Sequence, residues 1–168
     1  MTTIVLQTPR LALRHLHDGD AGFILELLND PGWLRFIGNK SVHDHEGAIN
    51  YIAKAQRMYR EKGFGLWVVE RRADGEKLGL CGLIKRDTLH DVDLGFGLLT
   101  RYHGQGYGNE AGAGVLEYGR KVVGLARIVA ITSPDNVASS SLLEKLGFVF
   151  ERVMQLVPGD DVKLYSAG

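Results

Sequence analysis

The sequence predicts an α+β fold: a mixed, mostly antiparallel central sheet flanked by helices, with one strand–helix–strand crossover at a glycine-rich loop. Three observations carry that prediction. Residues 65–99 read as consecutive strands joined by tight turns. The loop His103-Gly104-Gln105-Gly106-Tyr107-Gly108-Asn109-Glu110-Ala111 follows a strand-like run and opens a helix-like segment reaching about residue 123. A second apolar run, residues 126–132, comes next. One such crossover, expected to be right-handed, brings a parallel pair into an otherwise antiparallel sheet. The strands it joins can part at their C-terminal ends and leave a slot for a ligand.

The elements follow in order. Residues 10–16 alternate apolar and polar and form a half-buried strand. Asp18 to Asp20 can cap a helix carrying Phe23, Ile24, Leu27 and Leu28 at helical spacing, and Asp30-Pro31-Gly32 ends it. A second helix over residues 46–61 presents Ile49, Ile52, Ala53, Met58 and Tyr59 as its apolar stripe, and Lys62-Gly63 closes it. Residues 66–71 and 77–85 form a hairpin about Ala73-Asp74-Gly75-Glu76. Residues 92–99 continue the meander; Gly95 and Gly97 inside this strand signal a bulge or the close approach of another backbone or a ligand. Beyond the 126–132 strand come the turn Ser133-Pro134-Asp135-Asn136 and a helix to Leu146. Short strands over residues 148–152 and 162–165, joined by Pro158-Gly159-Asp160-Asp161, finish the chain. An edge of that kind is either covered or paired.

Composition bounds the function. At 168 residues, 45% of them hydrophobic and 24% charged, the chain suits one globular domain spanning 1–168. Twenty basic residues balance twenty acidic ones, so no bulk attraction to nucleic acid or to an anionic membrane is implied. The single cysteine, Cys81, lies in an apolar run and excludes an internal disulfide, as suits a reducing cytoplasm. Neither a signal segment nor a membrane-length apolar run is present, so a soluble cytoplasmic protein is expected. His15 with His17 and His43 with His45 lack a ligand cluster of recognised spacing, so no metal is expected.

The glycine loop carries the chemistry. Alternate glycines turn backbone N–H groups inward, and with a helix N-terminus they suit phosphate oxygens, although such a loop can also be only a turn. No Gly-Lys-Ser/Thr ending follows, so no lysine is set to reach a terminal phosphate and no hydroxyl to hold magnesium, which weakens the triphosphate-loop reading. Gly106-x-Gly108-x-x-Ala111 matches a dinucleotide fingerprint by letters. That fingerprint belongs at the first crossover of a βαβ unit and needs an acidic residue about twenty positions on, where residues 127–131 offer none.

Taken together, these segments resemble the GNAT superfamily of N-acetyltransferases and, within it, the RimJ/RimL branch of ribosomal-protein-alanine acetyltransferases. The resemblance rests on Thr8-Pro9-Arg10-Leu11-Ala12-Leu13-Arg14, Asp93-Leu94-Gly95-Phe96, the loop itself, Asn136-x-x-Ser139 with Leu143-Glu144-Lys145-Leu146-Gly147-Phe148, and Asp161-Val162-Lys163-Leu164-Tyr165. Each piece is short; their order and spacing make the signal.

The resemblance implies acetyl-CoA as donor, its pyrophosphate on the His103 to Asn109 loop. His103 stands where the family has Gln or Arg, or the tryptophan common in the branch. It implies that Phe96, Gly97 and Leu98 offer backbone groups to the pantetheine arm in the manner of an added strand. Asn136 either touches the pantetheine or is a helix N-cap. Asp93 aligns with a carboxylate that some relatives use as general base, the alternative being a solvated strand residue. Many relatives place a proton-donating tyrosine where this chain has Leu143, so Ser139 is the nearest candidate acid, against a plain helix-start serine. Glu110 reads as structural, its charge favouring the helix dipole.

The acceptor amine is constrained by chemistry alone. Only a neutral amine is nucleophilic, and an α-amine of pKa about 8 is about a tenth neutral at pH 7, whereas a lysine is neutral in only a few molecules per ten thousand. A protein N-terminus or a small amine of low pKa therefore suits the site best. A catalytically silent acyl-CoA-binding module is the competing expectation.

Overall fold

A computed structural model describes residues 3–168 and contains eight strands in one sheet, ordered β1-β2-β3-β4-β5-β6-β8-β7. The strands are β1 (Ile4–Gln7), β2 (Leu11–Arg14), β3 (Leu66–Arg71), β4 (Lys77–Ile84), β5 (Asp93–Leu98), β6 (Ile128–Thr132), β7 (Val149–Val157) and β8 (Asp160–Ala167). The helices are α1 (Ala21–Leu28), α2 (Pro31–Phe36), α3 (His45–Lys62), α4 (Tyr107–Tyr118) and α5 (Val137–Lys145). Every neighbouring pair is antiparallel except β5 and β6, which α4 connects. The α+β class and the single crossover expected from the sequence are what the fold shows.

Two departures have local causes, and a third is an added strand. Asp30-Pro31 does not end a helix but starts one: Asp30 accepts a hydrogen bond from the Gly32 N–H at 3.0 Å, and Pro31 takes the first helical position, where its missing donor costs nothing. The C-terminal strands run further than expected, to Val157 and from Asp160, because Pro158 and Gly159 alone make the turn. β1, unanticipated, is a four-residue strand that pairs on the edge of β2.

Side chains alternate across the sheet, so each strand serves two cores. On one face Leu11, Leu13, Trp67, Val69, Leu78, Cys81, Leu83 and Leu94 pack against Tyr107, Ala111 and Val115, four residues apart on α4, and against Leu116 beside them. On the other, Val68 and Leu80 pack against Ile24, Leu27, Trp33, Ala48 and Ile52 from α1 to α3. Burial pushes the Cys81 thiol up to about 12, which makes it an inert core residue. The α1–α3 layer is anchored by a buried ionic cluster. The Asp20 carboxylate, 0% exposed, receives Arg14 Nη1 at 2.9 Å, Arg14 Nη2 at 3.0 Å, Lys77 Nζ at 2.7 Å and the His17 N–H at 3.0 Å.

Candidate active site

The site is built where β5 and β6 part. Their pairing is confined to Asp93 opposite Val129, with the Val129 N–H donating to the Val92 carbonyl at 3.0 Å. Beyond that point β6 continues only along β8, as far as Thr132 opposite Lys163. One edge of β5 is therefore left without a strand partner from Leu94 onward.

Which backbone groups face that opening follows from strand alternation. The Leu99 N–H donates to the Leu78 carbonyl at 2.9 Å, so odd-numbered residues of β5 direct their N–H and C=O groups toward β4. Val92 already points toward β6, and with it go Leu94, Phe96 and Leu98. The Leu98 carbonyl is met by His103 Nε2 at 3.0 Å, so the loop histidine ties the loop back to the strand end. Gly97 does not face the opening: its carbonyl is turned to β4, where a Cβ on Gly79 would collide with it. What Gly97 provides is room, since a Cβ there would lie 2.5 Å from the Trp33 ring and 2.7 Å from Ile37 Cδ1. The strand glycine that the sequence marks as a close approach is thus filled from α2.

The glycine loop then enters α4. Gly104 and Gly106 adopt φ of 75° and 82°, the left-handed region that a Cβ disfavours, and Gly106 is the N-cap residue. No side chain caps α4, so its first-turn N–H groups are free to meet an anion. Nothing stands within 4 Å of where a Cβ on Gly104 would be. Such a turn fits a pyrophosphate. The reverse side of the loop is held by the N-terminal strands. Arg10 donates from Nη1 to the Gln105 carbonyl at 3.0 Å and from Nε to Glu110 at 2.7 Å, and its guanidinium stacks 4.4 Å from the Tyr107 ring centroid. Glu110 is structural, as expected, but through Arg10 and Thr8 as well as through the helix dipole.

Asp93 opens β5 on the face shared by Gly95 and Gly97, the α1–α3 side. It is 1% exposed, which removes the reading as a solvated strand residue. Its Oδ2 receives Arg86 Nε at 2.9 Å, and its Oδ1 is buried with no partner among the described residues. Burial pushes the carboxyl above the ordinary range, and the charge of Arg86 opposes that rise.

The remaining expected residues lie on α5. Asn136 Oδ1 caps the helix by accepting the Ser139 N–H at 3.2 Å, which leaves the Asn136 amide group free of that task. Ser139 is partly buried, and the side-chain hydroxyl left buried without a partner on this helix is that of Ser140. Leu143 is fully buried in the α4-side core. Asp30 connects the two sides of the site: beyond capping α2 it accepts the Thr100 N–H at 3.1 Å and the Thr100 hydroxyl. Sequence reasoning missed α2, Arg86 and Arg10. For α2 the signal was present in Asp30-Pro31, whereas nothing in Lys85-Arg86-Asp87 marks the middle residue.

An open strand edge beside an uncapped helix N-terminus is the arrangement that the sequence resemblance implies, and comparison with known proteins decides the matter. The acetyltransferase (GNAT) domain family matches residues 10–149. The chain belongs to the GNAT acetyltransferase family. A Bacillus subtilis protein named uncharacterized N-acetyltransferase YoaA is 32% identical over 152 residues, covering 90% of this chain and 86% of its own. Among solved structures, an acetyltransferase from Agrobacterium tumefaciens superposes with a TM-score of 0.84 at 21% identity, covering 100% of this chain and 94% of that one. RimL, a ribosomal L7/L12 alpha-N-protein acetyltransferase, in complex with coenzyme A, gives 0.83 at 18% identity, covering 98% and 97%. This GNAT chain is an acetyl-CoA-dependent acetyltransferase.

Proposed function

We propose that this enzyme moves an acetyl group to a primary amine, a protein N-terminus or a small-molecule amine, by direct attack in a ternary complex, and that it stands with the RimJ/RimL branch. The observation that carries the reading is Asp93, a buried carboxylate with one oxygen unpartnered among the described residues, on the α1–α3 face where the β5–β6 pairing ends.

Acetyl-CoA supplies the activated acyl carbon. The loop His103, Gly104, Gln105, Gly106, Tyr107, Gly108 and Asn109 holds the pyrophosphate through its main chain, with the uncapped first turn of α4 supplying N–H donors. Phe96 and Leu98 pair with the pantetheine arm as a strand would, Gly97 supports them by admitting Trp33, and the Asn136 side-chain amide adds a polar contact. The Leu98 N–H, which points into the opening, faces charge that builds on the acyl oxygen. Asp93 Oδ1 takes the proton that the amine must lose, and the Ser139 hydroxyl protonates the departing sulfur. RimL's ribosomal-protein acceptor and the branch resemblance favour an α-amine, as does the larger neutral fraction of such an amine at pH 7.

Leu143 gives the silent acyl-CoA-binding module its one argument, since a core leucine cannot donate a proton. Acetyl-CoA turnover with a panel of amines, run beside calorimetry of acetyl-CoA binding, separates the two. Turnover of α-amines ahead of lysine-like amines is expected, and binding without turnover of any amine overturns the reading.

The edge strand β7 favours a homodimer: Val149, Phe150, Val153 and Val157 are exposed on a strand whose outer edge is unpaired among the described residues. Light scattering is expected to exceed the 18.5 kDa of one chain. Among the described residues no helix is long and apolar enough to cross a membrane.

A further inference from the structure

We propose that Arg86 is a positioning residue for acetyl transfer, holding Asp93 ionised and turning its free oxygen toward the acceptor. The inference rests on the reading of Asp93 as general base. A carboxylate at 1% exposure has lost nearly all its water, and an isolated buried charge neutralises itself by taking up a proton. A neutral carboxyl cannot accept a proton from an amine. The structure supplies one direct counter-charge, the Arg86 guanidinium, whose Nε lies 2.9 Å from Oδ2.

The geometry also fixes orientation. A carboxylate turns easily about its last torsion. A hydrogen bond to Oδ2 alone fixes which oxygen is spent on the protein and which is left over. Oδ1 is the one left over. Arg86 is itself half-buried, its side chain 32% exposed, and it stands just after β4, so it reaches Asp93 from the loop that follows that strand.

The other charged or titratable groups near this pair make no direct bond to Asp93 among the described residues. The Lys85 ammonium contributes a positive field at Asp93, yet it donates to the Arg86 and Leu89 carbonyls at 2.8 and 2.7 Å. Arg127, at the entry to β6, is held by Asp91 at 3.1 Å and Glu151 at 2.7 Å. Tyr51 on α3 has its phenol pushed up to about 12 by burial against the pull of Arg86, so it is neutral. Lys40, before α3, is pulled down by burial and then by Arg86. The Val129 partner on β6 is apolar. Arg86 thus makes the direct bond to Asp93, and Lys85 adds only its field.

The test compares wild type with Arg86→Gln, Arg86→Lys and Asp93→Asn. The first readout is the 13C carboxyl titration of Asp93 in the unliganded protein, identified as the resonance that Asp93→Asn loses. The second is the pH dependence of kcat/KM at saturating acetyl-CoA, with a short alanine-initiated peptide as acceptor, or the fastest amine of the panel. Removing a cation at this distance raises a carboxyl by about 1 to 3 on the pH scale. In Arg86→Gln both the titration and the acid limb of the rate profile are expected to move up together by that amount, with acetyl-CoA affinity unchanged and Arg86→Lys restoring most of both. An unmoved Asp93 titration overturns the proposal, as does a rate loss uniform across pH. If Arg86→Gln leaves the limb in place while Asp93→Asn abolishes it, Arg86 fails and the base stands. If Asp93→Asn keeps both limb and rate, the reading of Asp93 fails and the role of Arg86 falls with it.

Discussion

Glu110 on the first turn of α4 and Arg10 ahead of β2 are a hundred residues apart in sequence and 2.7 Å apart in space. Their bond, with the Thr8 hydroxyl and the Arg10 N–H also given to Glu110, straps the N-terminal strands to the helix that ends the glycine loop. Burial would raise the Glu110 carboxyl, but the bonds from Thr8 and Arg10 hold it below the ordinary range.

Glu110→Ala is expected to lose charge-assisted bonds worth about 1–2 kcal/mol, lowering the thermal midpoint by about 2–8 °C for a domain of this size. Acetyl-CoA affinity falls with it, because Arg10 then loses the anchor from which it holds the Gln105 carbonyl. Differential scanning calorimetry with and without acetyl-CoA reads both effects.

Gly106→Ala tests the loop directly. A residue with a Cβ at φ of 82° costs about 1–2 kcal/mol, and the added methyl would lie 3.2 Å from Arg10 Nη2. Acetyl-CoA binding measured by calorimetry is expected to weaken by about tenfold or more, while circular dichroism stays native. Unchanged affinity would move the pyrophosphate elsewhere.

Asp93→Asn is expected to separate stability from activity. The native carboxyl lies above its unfolded value, so the folded state binds a proton more readily than the unfolded chain, and stability declines as pH rises from near 4 through the folded value. The amide cannot ionise and escapes that decline; Arg86, a third exposed, turns to water. Denaturant titrations at pH 7 are expected to show the Asp93→Asn variant more stable than wild type, while turnover falls and recovers toward alkaline pH as the amine deprotonates in solution.

Asp20 has the opposite sign. Burial would raise its carboxyl, but Arg14, Lys77 and the His17 N–H hold it far below the usual range. Its stabilisation is complete above about pH 4 and drains away as pH falls toward the folded value. Asp20→Ala removes the acceptor of Lys77 and of two Arg14 bonds, leaving Arg14 with Glu70 at 2.8 Å, and is expected to cost about 3 kcal/mol, read as a shift in urea midpoint that narrows in acid.

Much of this was legible in the sequence because local signals agreed with the fold. Gly104, Gly106 and the apolar spacing of α4 announced a loop–helix junction, and the turns about Asp74-Gly75 set the hairpin. What stayed hidden depends on distance. Arg86 is one of twenty basic residues, and only the arrival of β5 beneath its loop makes it the partner of a buried acid. Gly97 was legible as a place of close approach, but a strand glycine does not say from which side the neighbour comes. Asp30-Pro31 went the other way: a helix start was read as a stop, because a second helix so soon after the first leaves only Asn29 and Asp30 for the turn.

The Asp30–Thr100 joint has a thermodynamic corollary. One carboxylate grips both the first turn of α2, which carries Trp33, and the strand end that leads into the glycine loop, so α2 and the loop are tied to one another. Immobilising either one lightens the entropic toll of immobilising the other. Linkage then requires symmetry: the factor by which acetyl-CoA tightens the grip on an amine is the factor by which that amine tightens the grip on acetyl-CoA. Substrate synergy in this enzyme would then run through the single carboxylate of Asp30.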